Sequence, residues 1–207
     1  MKTLNKTQQG FTLVELIIVI VILGILAVTA APKFLNIAGD ARGGTLQAVL
    51  GSVTTANSLV NAKAKIQGID ESKDELAYVY VYEGSQKIHL AYGYPVTSNV
   101  AASVSPDPAE ALVSTTDVVT AWTALLDVDT TNDFVISSRV IDTATGLLVA
   151  GTTETATNKL AVVVNPKDIA LPTGASLVTD SCYVYVLQST AEGDKPTAAA
   201  VTTGCSN

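Results

Sequence analysis

Histidine is almost missing from this chain: of 207 residues only His89 carries an imidazole. A metal centre built on paired histidines, or a histidine-based triad, therefore has almost nothing to draw on. No H-E-x-x-H, G-x-S-x-G or glycine-rich phosphate loop occurs, so no catalytic motif stands out and no cofactor is indicated. Charge is scarce at 15%, and the 12 basic residues are outnumbered by 19 acidic ones, for a net charge of −7. That balance gives no basic patch for nucleic acid. Cysteine is limited to Cys182 and Cys205, both near the C-terminus. In an exported chain one such pair is read as one disulfide, the alternative being two separate thiols.

The apolar residues are unevenly spread. Met1–Gly10 is polar and holds Lys2 and Lys6; Phe11–Ala31 then runs for 21 residues with one charge, Glu15. As a helix this run spans roughly 30 Å, one hydrocarbon core. Lysines ahead of it keep the N-terminus cytoplasmic under the positive-inside rule. An ordinary signal peptide cut after Val28-Thr29-Ala30 fits the pattern, as does a plain membrane anchor. Neither explains Glu15, because a carboxylate in a membrane segment is costly and calls for a reason.

The stretch Gln9-Gly10-Phe11-Thr12-Leu13-Val14-Glu15 resembles the processing motif of type IV prepilins. The resemblance implies peptidase cleavage between Gly10 and Phe11, N-methylation of Phe11, and assembly of the mature chain through its N-terminal helix into a helical homopolymer. In that polymer the Phe11 amine of one subunit would neutralise Glu15 of its neighbour, since either charge alone is costly in an apolar core. Removing the leader also removes two lysines, leaving 10 basic and 19 acidic residues, a net −9. Gly24 and Pro32 sit where the family often carries a helix-loosening glycine and proline. The second proline found in many relatives is replaced here by Gly51 and Ser52.

The resemblance further implies an α+β fold in which a long N-terminal helix packs on an antiparallel sheet with a C-terminal disulfide-bounded loop. The parts would be a leader (1–10), a transmembrane and fibre-core helix (11–32), its amphipathic continuation (33–64) and a globular head (65–207). Loop 182–205, closed by Cys182 and Cys205, would lie on the fibre exterior. Its partners would be identical subunits, the prepilin peptidase and inner-membrane assembly machinery, the membrane before assembly, and a surface glycan or solid surface afterwards. The Cys182-Tyr183-Val184-Tyr185 block is most similar to the mannose-sensitive haemagglutinin (MSHA-type) pilins of Gram-negative bacteria. A type II secretion pseudopilin, a minor pilin and a secreted β-rich binding protein are the competing readings.

Residue patterns fill in the remainder. Leu35, Ala38, Leu46, Val49, Leu50, Val53, Ala56 and Val60 form one apolar helical stripe, with Asp40, Arg42, Gln47 and Asn57 opposite. Gly39, Gly43, Gly44 and Gly51 weaken that helix relative to alanine, and read either as tolerated loops or close packing or as points where the helix can unwind locally. Lys63–Glu75 reads as a loop, then Leu76–Tyr82 and Lys87–Tyr92 as a hairpin, with Tyr78, Tyr80 and Tyr82 on one face for cross-strand packing or a sugar platform. Ser105-Pro106-Asp107-Pro108 predicts a helix over Ala109–Leu126 with Val118, Trp122, Leu125 and Leu126 on one face. Lys159–Asn165 and Cys182–Leu187 are predicted strands, and Gly193-Asp194-Lys195-Pro196 a turn. Asp127–Asp133 is rich in oxygen ligands but lacks EF-hand spacing, so a solvated turn is expected and calcium is the alternative.

Overall fold

A computed structural model of the chain describes residues 11–69, 77–80, 87–98, 114–149, 155–171 and 181–206, with residues 31–36 and 77–80 described in backbone only. The first element is a single 54-residue helix, α1 (Leu13–Ile66), which passes through Gly24 and Pro32. At 1.5 Å per residue it is about 80 Å long. Leu13–Ala30 has a mean hydropathy of 3.0 and no residue buried within the chain. Leu16, Ile18, Ile22 and Leu26 are all more than half exposed.

The second half of α1 is amphipathic as its spacing predicts, and Leu46, Val49, Val53, Ala56 and Val60 are buried. Three positions differ from the sequence pattern. Ala38 is exposed and Gly39 is buried where Ser206 packs against the helix, while the side chain of Leu35 lies outside the described residues. Asn57, assigned to the polar face, is buried beside Asn61, whose amide donates to the Gly93 carbonyl at 3.2 Å. The helix also runs past residue 64 into the expected loop. Ala64 joins Val60 against Ile88 and Leu90, and that burial keeps the last turn helical. Gln67 then caps α1 and Gly68 leaves it at φ +71°, the left-handed geometry that suits glycine.

Strands β1 (Ala77–Tyr80), β2 (Lys87–Ala91) and β3 (Tyr94–Pro95) form an antiparallel sheet in that order. The expected antiparallel pairing is present, with Tyr78 opposite His89, and the residues joining the two strands lie outside the described ones. The side chains of the tyrosine stripe lie outside the described residues. Strand β2 stops one residue short of Tyr92, because Tyr92 and Gly93 both take positive φ and turn the chain into β3. Positive φ at both central residues is the two-residue turn that matches strand twist.

Helix α2 (Thr115–Leu126) begins later than the predicted Ala109. Its start is a capping box in which Ser114 Oγ accepts from the Asp117 amide at 3.2 Å and Asp117 Oδ2 accepts from the Ser114 amide at 2.9 Å. These bonds satisfy amides that the helix itself leaves free. The Ser105-Pro106-Asp107-Pro108 signal lies outside the described residues. Val118, Trp122 and Leu126 are buried as expected, and Trp122 Nε1 donates to the Val96 carbonyl at 2.9 Å.

The second sheet is antiparallel, β4 (Phe134–Asp142), β5 (Asn158–Pro166), β6 (Tyr183–Leu187) and β7 (Thr197–Val201), in sequential order. Leu160–Pro166 is buried without interruption, because this strand is covered on both faces. Val162, Val164, Val184 and Val186 meet Leu46, Val49, Val53 and Trp122 on one side. Ala161, Val163, Tyr183 and Tyr185 join Ile141 and Leu148 on the other. A long helix on antiparallel sheet is thus the fold observed, and the whole fold is α+β.

Candidate functional site

Two regions carry chemistry that the core does not need: the head of α1 and the C-terminal cysteine block.

At the head of α1, Thr12 is the N-cap and Glu15 the third helical residue. Thr12 Oγ1 accepts from the Glu15 amide at 3.3 Å, while Glu15 Oε2 accepts from the Thr12 amide at 2.9 Å and its hydroxyl at 2.8 Å. From its place in the apolar run Glu15 is expected to meet an amine from outside the chain, and its local bonds to Thr12 are an addition to that expectation. Thr-x-x-Glu before an apolar run is a capping-box signature and reveals this local role. It ties up helix-end donors that lipid could not satisfy. Both bonds fall on Oε2, and Oε1 has no hydrogen-bond partner among the described residues.

Phe11 is 87% exposed at this tip. Gly10 and the rest of the leader lie outside the described residues. The segment that follows contains little polarity to hide. Thr29 Oγ1 donates to the Ile25 and Leu26 carbonyls, which leaves no free hydroxyl hydrogen facing outward. A Cβ placed on Gly24 would meet nothing within 4 Å, so that glycine opens a notch on the bare helix surface. Pro32 lies inside α1 as predicted from sequence.

At the other end, Cys182 and Cys205 are bonded, with Cα atoms 4.8 Å apart. The enclosed segment is not a surface loop throughout. Tyr183–Val186 is buried strand and Thr197–Val201 is half-buried strand beside α1, leaving Thr190–Lys195 as its exposed tip. Burial follows from the alternating β-branched and aromatic residues that sequence had already marked as strand.

The chain end is then strapped across α1. Arg42 donates to the Cys205 carbonyl at 3.1 Å and to Asp168 Oδ2 at 2.6 Å. Gly39 lets the backbone pass: a Cβ there would come within 2.6 Å of Ser206 Cβ and 2.7 Å of its Cα. Arg42 was placed on the polar face by its spacing, but nothing in the local sequence pointed to Asp168 as its partner.

Asp127–Asp133 is the turn expected. Asp129 accepts from the amides of Thr131 and Asn132 and from Asn132 Nδ2, and these donors hold its carboxyl below the usual range, the Asn132 side chain contributing most. Lys167 Nζ occupies the Thr131 carbonyl. Within this turn the Asp129 carboxylate and the Thr131 carbonyl are thus engaged by N–H and ammonium donors of the chain itself. The glycine turn over Gly193 is also as predicted, with φ +81°.

Residues 5–31 match the protein family described as the prokaryotic N-terminal methylation motif. The chain is 40% identical over 57 residues to a type IV narrow pilus major component, PilA5, of Thermus thermophilus, covering 28% of this chain and 49% of that protein. It is 42% identical over 67 residues to a fimbrial protein, EcpB, of Eikenella corrodens, covering 32% of this chain and 42% of that protein. The chain thus spans half or less of the length of the curated relatives it matches. No solved structure matches it.

Proposed function

We propose that the chain is a type IV pilin precursor, the major structural subunit of an extracellular fibre used in surface attachment. One observation carries the reading: a bare apolar helix of membrane length, headed by the N-terminal methylation motif and joined without interruption to a packed α+β head. In water those side chains would drive association; in a bilayer or a bundle of like helices they are satisfied.

In this reading Met1–Gly10 is a cytoplasmic leader removed by a prepilin peptidase, and Phe11 becomes the N-methylated start. Leu13–Ala30 first anchors the subunit in the inner membrane and then packs with identical helices. The Glu15 Oε1 left open by the capping box receives the neighbouring subunit's Phe11 amine, which sets the axial register. Gly24 and Pro32 give α1 room to loosen during packing. The role is structural, not enzymatic. The MSHA-type subgroup is favoured by the Cys182-Tyr183-Val184-Tyr185 block and its closing Cys205.

Mass spectrometry of purified surface fibres tests this. The expected result is an abundant chain beginning at N-methyl-Phe11 with the Cys182–Cys205 bond intact. A chain beginning at Ala31, or absence from fibres, would sink the proposal. Glu15→Ala subunits should be processed normally yet assemble poorly.

A further inference from the structure

The exposed tip of the disulfide-closed segment borders a cleft of about 430 Å³. That volume lies in the range of small-ligand sites and far exceeds the space of a simple ion. Its walls come from the ends of β5, β6 and β7, so its polar groups stand on sheet rather than on free loop. Lys159 and Lys195 line it, with Asp194 the one acidic group along its described lining.

Neither lysine has a hydrogen-bond or ion-pair partner among the described residues, and in a chain this acidic that is unusual. Arg42 is paired with Asp168, and Lys167 with the Thr131 carbonyl. Arg139 is the other basic side chain described without a partner, and it lies by a different cleft, between α2 and β4.

Besides the lysines, the cleft is lined by fixed hydrogen-bonding groups. Gln188 is pinned from both ends: its amide donates to Thr97 Oγ1 at 3.1 Å, and its Oε1 accepts from the Thr97 amide at 3.3 Å and Ser98 Oγ at 3.1 Å. With Oε1 doubly engaged, Nε2 is left with two N–H donors to give. Thr143 Oγ1 spends its hydrogen on the Thr157 carbonyl at 2.9 Å and so offers lone pairs. Leu160 and Leu187 supply apolar surface. No aromatic ring lines the cleft among the described residues, so recognition here rests on charge and hydrogen bonds and not on stacking a sugar face.

We propose that this cleft binds a saccharide bearing a carboxylate, with the carboxylate held by Lys159, Lys195 and Gln188 Nε2 and the ring hydroxyls by Thr143 and Asp194. Two cations and a preordered amide donor suit one carboxylate; acceptors and an apolar floor suit a hydroxylated ring. The site needs only the folded head, so it holds whether or not the chain polymerises.

Isothermal titration calorimetry on the full-length oxidised chain in detergent micelles tests it, with galacturonic and glucuronic acids, galactose and acetate as probes. At least one uronic acid should saturate at millimolar concentration, with galactose and acetate about tenfold weaker or more. Lys159→Ala and Lys195→Ala should each weaken uronate binding roughly tenfold, as loss of a hydrogen bond to a charged group does. Arg139→Ala should leave it unchanged. Unaltered thermal unfolding followed by Trp122 fluorescence shows that the variants fold. Acetate binding as tightly as the uronic acids, no saturable uronate binding, or equal loss in Arg139→Ala would overturn the proposal.

Discussion

Reducing the Cys182–Cys205 bond should destabilise the head by about 3 kcal/mol, the chain-entropy value for a loop with a sequence separation of 23. Reduction removes no heavy atoms, so the effect is free of the cavity that alanine would leave. Trp122, the only tryptophan, is 1% exposed and reports head unfolding directly. With a urea slope of about 2 kcal/mol/M, the midpoint should fall by roughly 1.5 M. The structure adds a coupling to this. Cys205 lends its carbonyl to Arg42, so the bond also holds the strap against α1. The Arg42–Asp168 pair is solvent-accessible on both sides, and Arg42→Ala should cost no more than about 1 kcal/mol in the oxidised chain. In the reduced chain, where the strap is freed, the same substitution should cost less than half as much. A reduction penalty under about 1 kcal/mol would refute the loop argument. An equal Arg42→Ala penalty in both redox states would show that the strap stays docked without the bond.

Two glycines of α1 should respond with opposite signs in calorimetric unfolding. Gly39→Ala forces a methyl into Ser206 and should cost about 1–3 kcal/mol, whereas Gly44→Ala meets nothing within 4 Å and should stabilise the single chain by about 0.5–1 kcal/mol. Leu46→Ala, at a fully buried site facing the second sheet, should lose about 2–5 kcal/mol by chemical denaturation. Acid should weaken the start of α2. Ser114 bonds hold the Asp117 carboxyl below its ordinary range, so its contribution is present above the unfolded value near 4 and lost as pH falls through the lower folded value. Asp117→Asn should flatten that acid limb in a pH series of unfolding midpoints without changing stability's pH dependence near neutrality.

How much was legible beforehand follows from the range of the interactions. Leu13–Ala30, the stripe through Leu46, Val53 and Val60, and the alternating β6 could be read directly, because helical and strand periodicity are written over a few consecutive residues. The disulfide followed from there being only two cysteines in a chain read as exported. Strands β4 and β7 went unread: Ser137, Ser138 and Arg139 interrupt the first, and Thr197–Val201 is mostly alanine, so each is a strand because of its neighbours' hydrogen bonds.

The sequence by itself determined the membrane-length helix, the match to the N-terminal methylation motif and the capping box of Thr12 and Glu15, all written in short local stretches. Tertiary structure alone decided that Gly39 must stay bare for Ser206, that Arg42 would find Asp168 126 positions away, and that Lys159 and Lys195 would share a cleft. Such contacts join distant points of the chain. They depend on how α1 and the two sheets pack, which no local pattern specifies.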